Sequence, residues 1–222
     1  MITEKIREQQ GMFNAKCENI RWVLASHLAY SVLISRPDIV KLSNFPSELQ
    51  IDNIKVSASD VFGVVLQPKD RQMIIDENLA AARRLLIADT FDQLVESFCR
   101  GYAIYASDNH ADPYEQEDPI YFTGRGLYKG EKEARYFLDV EREFIKKLVN
   151  PLRNTIRHHN GIVPPKGVID YQGQIDNLTI GVHLERGQPI RTDLNVCNAI
   201  FGLVRNIGNR AFERLIVDAQ KV

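Results

Sequence analysis

Apolar residues recur at three- and four-residue steps in four long stretches of this sequence, and this repeat constrains the fold more than any other feature. In the first stretch, for example, Phe13, Cys17 and Ile20 follow this spacing. Residues spaced in this way lie on one face of an α-helix, so each stretch predicts a long helix with one buried face. The four stretches are residues 3–34, 71–106, 130–149 and 193–218.

Capping and helix-breaking residues set the predicted ends of these helices. Proline restricts the residue before it, so Arg36-Pro37 is expected to end the first helix. Asn150-Pro151 interrupts the third stretch. Because Asn favours the N-cap and Pro the first helical position, this pair predicts a new short helix that starts at Pro151. Asn160-Gly161 is a typical helix stop, and Asp193 is expected to cap the last helix.

Residues 162–192 differ from the rest of the chain, because prolines and glycines surround an alternating run that includes Ile180, Val182 and Leu184. A period of two predicts a β-hairpin. The sequence as a whole therefore predicts a mainly α fold, a bundle of four to five long helices with a small β-hairpin insertion.

We expect the chain, residues 1–222, to form a single domain that contains this insertion. Residues 37–70 fit either a short helix that starts at Ser59 or an extended segment, and both alternatives stay open.

Composition excludes several classes of protein. The net charge is −1, whereas a protein that coats DNA is usually strongly basic. No apolar run approaches the roughly 20 residues of a membrane span, and Met1–Gln10 lacks a signal-peptide core. Cys17, Cys99 and Cys197 stand in apolar helical patterns without a Cys-x-x-Cys pair, which favours buried thiols over a zinc site. We expect a cytoplasmic protein with no cofactor, no metal and no membrane contact.

The segment Arg153-Asn154-Thr155-Ile156-Arg157-His158 is the most specific chemical feature of the sequence. From Arg142 to Asn160 there are five Lys or Arg and one acidic residue, a local balance of +4. A helix that starts at Pro151 would also place free backbone N–H groups beside this segment, where an anion is favoured. Both features predict phosphate binding. The expected contacts to RNA or phosphate are Arg157, His159, Lys146 and Lys147.

The residue types in this segment suit the cleavage of RNA. An imidazole such as that of His158 takes and gives a proton near neutral pH, and the guanidinium of Arg153 can hold two phosphate oxygens. Asn154 can orient the imidazole or a ribose hydroxyl. The 2′-hydroxyl of RNA supplies the nucleophile, so the reaction needs neither a metal nor a nucleophile from the protein.

Spacing on an ideal helix argues for a homodimer. Arg153 and His158 are five residues apart, about 140° around the helix, so one helix presents them poorly to one atom. Two copies that face each other across a two-fold axis would bring four groups to one phosphodiester. A purely structural explanation also stays open, since Arg157, His158 and His159 near a helix C-terminus complement the helix dipole.

At these residues the chain resembles the higher eukaryote and prokaryote nucleotide-binding (HEPN) superfamily. Its signature is Arg, a polar residue that is often Asn, three variable residues and His, which matches residues 153–158. The resemblance implies a metal-independent endoribonuclease with a composite site at a homodimer interface. Such proteins are often toxins or phage-defence effectors, sometimes restrained by a cognate antitoxin protein.

Carried over by position, the resemblance assigns Arg153 and His158 as the catalytic pair and Asn154 as the supporting polar residue. It also implies a supporting acid from an earlier helix, for which Glu96 is our choice. Because some members of the superfamily lack activity, the alternative is a non-catalytic helical dimer that binds a partner protein or a nucleotide.

The two functions predict different surroundings for the pair. A ribonuclease requires Arg153 and His158 to be accessible, with no core acid paired to the arginine. A non-catalytic module is expected to lock Arg153 in a salt bridge, for instance with Glu141 or Asp139, and to bury His158.

The polar loop at residues 108–129 allows a third and weaker hypothesis, a small-molecule enzyme. Aromatic residues in a loop more often pin it to the core than line a pocket, and for the same reason we expect Trp22 in the core. The aromatic residues of the loop are Tyr114, Tyr121, Phe122 and Tyr128.

Overall fold

The computed structural model describes most of the chain. The described residues are 2–35, 48–51, 54–57, 71–107, 112–115, 122–130 and 132–221. They are mainly helical with short antiparallel hairpins, which confirms the expected mainly α fold with a small β-hairpin. None of the helices in these ranges has the length and apolar character needed to cross a bilayer.

Within these ranges, four long helical segments carry the fold, and two of them contain a π-turn, in which backbone hydrogen bonds span five residues. The segments are α1 (Ile2–Ser35), α2 (Arg71–Arg84) joined by a first π-turn (Leu85–Asp89) to α3 (Thr90–Ala106), α4 (Asp139–Phe144) joined by a second π-turn (Ile145–Val149) to α5 (Asn150–His158), and α6 (Leu194–Ala219). The strands are β1 (Glu48–Ile51), β2 (Ile54–Ser57), β3 (Ile169–Ile175) and β4 (Leu178–Leu184), and 3-10 turns occupy Pro113–Glu115, Gly124–Leu127 and Glu133–Tyr136.

The chain forms two compact units. The smaller is Val23–Ala82, in which β1 pairs with β2. Of the segment 37–70, this hairpin is the part that the structure describes, and the alternative helix from Ser59 lies outside the described residues. The larger unit consists of Met1–Trp22 and Arg83–Val222 and contains the candidate site.

The contact between α3 and α6 lies at the centre of the core of the larger unit. The ring of Phe98 on α3 meets that of Phe212 on α6 edge-on at a centroid distance of 5.3 Å, and that of Phe137 at 5.0 Å. Phe13 of α1 adds a further contact to Phe212 at 6.2 Å. Aromatic pairs in such arrangements add about 0.5–1.5 kcal/mol each beyond the burial of their area.

The three cysteines are buried free thiols, as the sequence predicted. Burial raises the pKa of Cys17 and of Cys197 to about 11, so neither thiol ionises at neutral pH. The prediction for Trp22 was wrong, because this residue is 74% exposed. It stands two residues after buried Ile20, about 200° around α1, and therefore lies off the buried face.

A buried carboxylate, that of Glu141, joins the start of α4 to α6. It is 1% exposed and pairs with Arg210 at 2.9 Å and with Arg214 at 3.0 Å. Its Oε2 also accepts a hydrogen bond from the backbone N–H of Leu138 at 2.8 Å. This cap explains why the third helical segment begins at Asp139 rather than near residue 130, as the apolar spacing had predicted.

The predicted hairpin in residues 162–192 is confirmed. It consists of β3 and β4, with Ile175 opposite Leu178. Asp176 and Asn177 form its turn and have positive φ angles of 50° and 64°, as a two-residue type I′ turn requires. Asp176 also accepts a hydrogen bond from Arg210 at 2.7 Å, which attaches the hairpin to α6.

Two predicted helix boundaries are also confirmed. The side chain of Asp193 accepts a hydrogen bond from the backbone N–H of Asn195 at 2.6 Å and so caps α6. At the end of α5, Asn160 and Gly161 have φ angles of 49° and 74°, and the N–H of Gly161 returns to the carbonyl of Thr155 at 3.0 Å. Such a left-handed pair satisfies carbonyl groups at a helix end.

The helix does not restart at Pro151, and this part of the sequence-based prediction was wrong. Val149 and Asn150 both have α-helical backbone angles, so the second π-turn leads from α4 into α5 without a cap. Proline lacks an N–H and crowds the turn before it. A π-turn directly before the proline widens that turn, which explains how Pro151 fits inside a continuous helical segment.

Two glycines of α6 provide a matched test of the core packing. A Cβ atom built on Gly208 would lie 2.7 Å from Leu94 Cδ1 and 2.8 Å from Phe13 Cε1, whereas one on Gly202 meets no heavy atom within 4 Å. Gly208→Ala should therefore lower the free energy of unfolding by about 1–3 kcal/mol. Gly202→Ala should raise it by up to about 1 kcal/mol through helix propensity. Urea denaturation measures both, and equal changes would contradict this packing.

Candidate functional site

The side chains of Arg153, Asn154 and His158 meet at the C-terminal half of α5. Nη1 of Arg153 donates a hydrogen bond to Asn154 Oδ1 at 3.1 Å and lies 3.2 Å from Nε2 of His158. Because a guanidinium only donates, this second contact requires a lone pair on Nε2 of the imidazole. Arg153 is therefore in hydrogen-bond contact with both Asn154 and His158 within one chain.

This geometry corrects the argument that one helix presents Arg153 and His158 poorly to one atom. The angle of about 140° describes the Cα positions on an ideal helix. The long side chain of Arg153 spans that angle and reaches the imidazole. A second copy of the chain is therefore not needed to bring these two groups together.

The pair is accessible from outside the chain. His158 and the neighbouring His159 are exposed, and the side chain of Arg153 is 28% exposed. Both the arginine and the imidazole are therefore accessible to solvent. The exposure of His158 agrees with the ribonuclease hypothesis and differs from the burial that the non-catalytic hypothesis predicted.

Two carboxylates, one at the end of the first π-turn and one in the first turn of α3, hold the arginines of α5. Asp92 accepts from Nε of Arg153 at 2.7 Å with one oxygen, and from Nη2 of Arg157 at 2.9 Å with the other. Arg157 also pairs with Asp89. Burial raises the pKa of Asp89, and the charge of Arg157 acts in the opposite direction. The junction between the first π-turn and α3 thus fixes both arginines.

The ion pair between Arg153 and Asp92 is the kind of contact that the non-catalytic hypothesis expected, although its partner is a different acid. The ribonuclease hypothesis expected Arg153 to have no acidic partner. The non-catalytic hypothesis named Glu141 or Asp139 as the partner, whereas Glu141 pairs with α6 and Asp139 with Arg142. The observed partner comes from α3 and was named by neither hypothesis.

Glu96, our sequence-based choice for the supporting acid, lies one turn after Asp92 on the same face of α3. It forms an ion pair with Lys16 of α1 at 3.5 Å and does not contact Arg153. Sequence spacing limits the acid to this face of the helix. It does not show which of the two carboxylates reaches α5.

The local excess of positive charge is largely compensated by neighbouring carboxylates. Lys147 pairs with Glu143 at 2.7 Å, and Arg157 is held by two acids. Lys146 and Lys147 are exposed, but neither lines the cleft beside the motif. The proposed anion site at a helix N-terminus is also absent from α5, because that helix continues from the second π-turn and has no free first turn.

A cleft of about 610 Å³ adjoins the motif. Asn150, Arg153 and Asn154 stand three and four residues apart on α5, so they form one wall of the cleft. The other walls come from α3 and from the described part of the loop at residues 108–129. The spacing of residues in the sequence did not predict that this loop lies beside the motif. α3 contributes Phe91, Asp92, Val95 and Glu96, and the loop contributes Tyr114, Phe122 and residues 123–125.

The aromatic residues of the loop have different places in this arrangement. Tyr114 and Phe122 line the cleft with their rings 6.0 Å apart. Tyr128 instead receives a hydrogen bond from the amide of Asn150 at 3.3 Å and thereby helps to pin the loop to α5. Tyr121 lies outside the described residues.

Sequence reasoning missed four residues of the site: Asp89, Asp92, Asn150 and Arg125. Asp89 and Asp92 stand three apart in an acidic turn of a predicted helix, and this signal could have named them as partners of the arginine pair. Asn150 was interpreted as a cap. The contact between α5 and the loop that carries Arg125 has no signal in the spacing of residues.

No protein-family model, curated protein or solved structure matches the chain. Within the ranges that the structure describes, no group of three or more His, Cys, Asp or Glu side chains could hold a metal ion.

Asp92, rather than Glu96, is expected to control the position of the Arg153 side chain. A hydrogen bond to a carboxylate slows the exchange of an Nε proton with water. The Arg153 Nε–H signal in a ¹H–¹⁵N spectrum at neutral pH should therefore be lost in Asp92→Asn and kept in Glu96→Gln. A signal that survives in Asp92→Asn, or one lost in Glu96→Gln, would contradict the assigned partner.

Proposed function

We propose that this protein is a metal-independent endoribonuclease of the HEPN type. The observation that carries the proposal is the contact between Nη1 of Arg153 and Nε2 of His158 at 3.2 Å, on an accessible face beside a cleft. A basic group that holds phosphate and an imidazole that transfers protons are the two groups that cleavage of RNA through its own 2′-hydroxyl requires.

The reaction proposed for this pair is an internal transfer of the phosphoryl group. Nε2 of His158 exchanges its contact with Arg153 for the 2′-hydroxyl and takes the proton of that hydroxyl as the 2′-oxygen attacks the adjacent phosphorus. The bond from phosphorus to the 5′-oxygen then breaks. The imidazolium of His158 gives its proton to the 5′-oxygen, so the products are a 2′,3′-cyclic phosphate and a 5′-hydroxyl.

Arg153 has the donors that a developing negative charge on the phosphate needs. Its Nε is bound to Asp92, and its Nη1 contacts Asn154 and His158. Among the described residues, none accepts a hydrogen bond from its Nη2. That nitrogen can bind a phosphate oxygen while Asp92 keeps the guanidinium plane fixed.

Asn154 and Arg157 act as supporting residues in this proposal. The amide oxygen of Asn154 accepts from Arg153, which leaves its NH₂ group free to donate to a ribose or phosphate oxygen. Arg157 is bound to both Asp89 and Asp92, so we assign it mainly to holding the acids in place. Phosphate contacts from His159, Lys146 and Lys147 stay predictions.

The resemblance to the HEPN superfamily supports two further parts of the proposal. One is a homodimer whose interface brings two such Arg–His pairs to one RNA strand. The other is a biological role as a toxin or phage-defence effector, with a cognate antitoxin protein as a partner. In this proposal each chain supplies a complete pair, so dimerisation adds a second pair rather than completing the first.

The alternative is a non-catalytic dimer that binds a partner protein or a nucleotide, and the ion pair between Arg153 and Asp92 favours it. A guanidinium held by a carboxylate has part of its charge already compensated. The exposure of His158 favours the ribonuclease, because a substrate hydroxyl can reach the imidazole and replace Arg153 as the partner of Nε2.

His158→Ala is expected to lower the rate of RNA cleavage by about 10²- to 10⁴-fold, the usual contribution of a general acid–base group. The measurement is the initial rate on a single-stranded RNA in excess EDTA. His183→Ala is the matched control, because His183 is an exposed histidine of β4 that pairs with Asp170 at 3.2 Å, away from the cleft.

Equal rates for His158→Ala and the wild type would remove His158 from the mechanism. Wild-type protein that binds RNA but does not cut it would favour the non-catalytic alternative. Size-exclusion chromatography of the active protein tests the homodimer. RNA cleavage by a species of 25.4 kDa, the mass of one chain, would contradict a composite site.

A further inference from the structure

Arg125 is a cationic side chain in the cleft that forms no ion pair with any residue the structure describes. It is exposed, and it lines the cleft together with Arg153. Within the part of the chain that the structure describes, Arg125 has no ion pair, whereas Arg153 is paired with Asp92. A second anion would therefore bind more readily to Arg125 than to the motif arginine.

The backbone around Arg125 is held in place. Its carbonyl accepts hydrogen bonds from the N–H groups of Tyr128 at 3.2 Å and Lys129 at 2.9 Å. The neighbouring Gly124 packs so closely that an added Cβ would lie 2.8 Å from Phe91 and 3.1 Å from the amide oxygen of Asn150. This close approach fixes the loop against α3 and α5.

Tyr114, on the same loop, is a fixed aromatic surface. Its backbone N–H donates to Asp112 at 3.0 Å, and Asp112 also accepts from Nε of Arg100 at 2.9 Å. The guanidinium of Arg100 lies 4.7 Å from the centre of the Tyr114 ring, and Phe122 lies beside the ring at 6.0 Å. Tyr114 is nevertheless 40% exposed, so part of its ring is open to a ligand.

We infer that this cleft binds the nucleotide next to the cleaved phosphodiester, with its base on Tyr114 and its phosphate on Arg125. The inference rests on the proposed function and names the part of the RNA that the cleft takes. Aromatic rings and unpaired cations along one groove are the means by which proteins hold single-stranded nucleic acids. A volume of about 610 Å³ falls within the usual range of a small-ligand site and suits one nucleotide.

Binding of a single-stranded 2′-fluoro RNA hexamer tests this inference apart from cleavage, because its 2′-fluorine cannot act as the nucleophile. Fluorescence anisotropy with a labelled hexamer of mixed sequence gives the dissociation constant Kd. Tyr114→Leu should raise Kd roughly tenfold, within the range for loss of one base–aromatic stack. Tyr114→Phe keeps the ring and should stay within about twofold of the wild type.

The salt dependence of the same binding tests the role of Arg125. Loss of one phosphate contact to a single strand should reduce the slope of log K against log salt concentration by about 0.7. Arg125→Ala should show that reduction. Arg186→Ala should not, because Arg186 is an exposed arginine after β4 that does not line the cleft.

The nucleotide site would be overturned if Tyr114→Leu and Arg125→Ala both kept the Kd and the salt slope of the wild type. It would also be overturned if the wild type did not bind the hexamer. Either result can be told apart from a failure of the proposed ribonuclease function. A wild type that cuts RNA while neither variant changes binding keeps the ribonuclease and removes the nucleotide site. A wild type that never cuts while both variants lose binding keeps the nucleotide site and removes the ribonuclease.

Discussion

The carboxylate of Asp92 is the group on which the candidate site depends. It binds Arg153 with one oxygen and Arg157 with the other, and it thereby connects α3 to α5. Without it, two neighbouring arginines would face each other with Asp89 as the remaining acid. The contact also gives α5 a defined orientation, because a carboxylate shared by two guanidinium groups restricts the position of both.

Two π-turns explain why the site residues lie where they do. One ends at Asp89, directly before the turn of α3 that carries Asp92, and the other ends at Val149, directly before the helix with the motif. The hydroxyl of buried Thr90 accommodates the first π-turn by donating to the carbonyl of Leu85 at 3.0 Å. A π-turn adds about one residue to the helix and so rotates everything after it relative to the core, which is consistent with the frequent location of π-turns at functional sites.

Much of the fold could be predicted from the sequence, and the errors have physical causes. Apolar spacing located the long helices, and the alternating run located the hairpin with its turn at Asp176 and Asn177, because these patterns are local. The restart predicted at Pro151 was wrong. The pair Asn150-Pro151 favours the start of a helix, but here a π-turn connects it to the preceding helix. No local sequence pattern predicts such a π-turn. The start of α4 depends on buried Glu141 and its partners on α6, which are distant in sequence.

The candidate site could be predicted less completely than the fold. The motif itself was visible, and the structure adds that Arg153 contacts both Asn154 and His158. The acid that contacts Arg153 is Asp92, which lies one turn before Glu96 on the same face of α3. The catalytic roles of the motif residues and a supporting role of Glu96 stay predictions. The cleft wall from the loop was not predicted, since it depends on how closely Gly124 approaches α3.

The proposed mechanism is the cleavage of RNA by an arginine and an imidazole through the 2′-hydroxyl of the RNA itself. The chemical form of the product ends tests this mechanism most directly, and a ³¹P NMR spectrum of RNA digested in excess EDTA identifies them. We expect a signal from 2′,3′-cyclic phosphate, with 5′-hydroxyl ends on the downstream fragments. Fragments with 5′-phosphate and free 3′-hydroxyl ends would contradict it, because they require water rather than the ribose oxygen as the nucleophile.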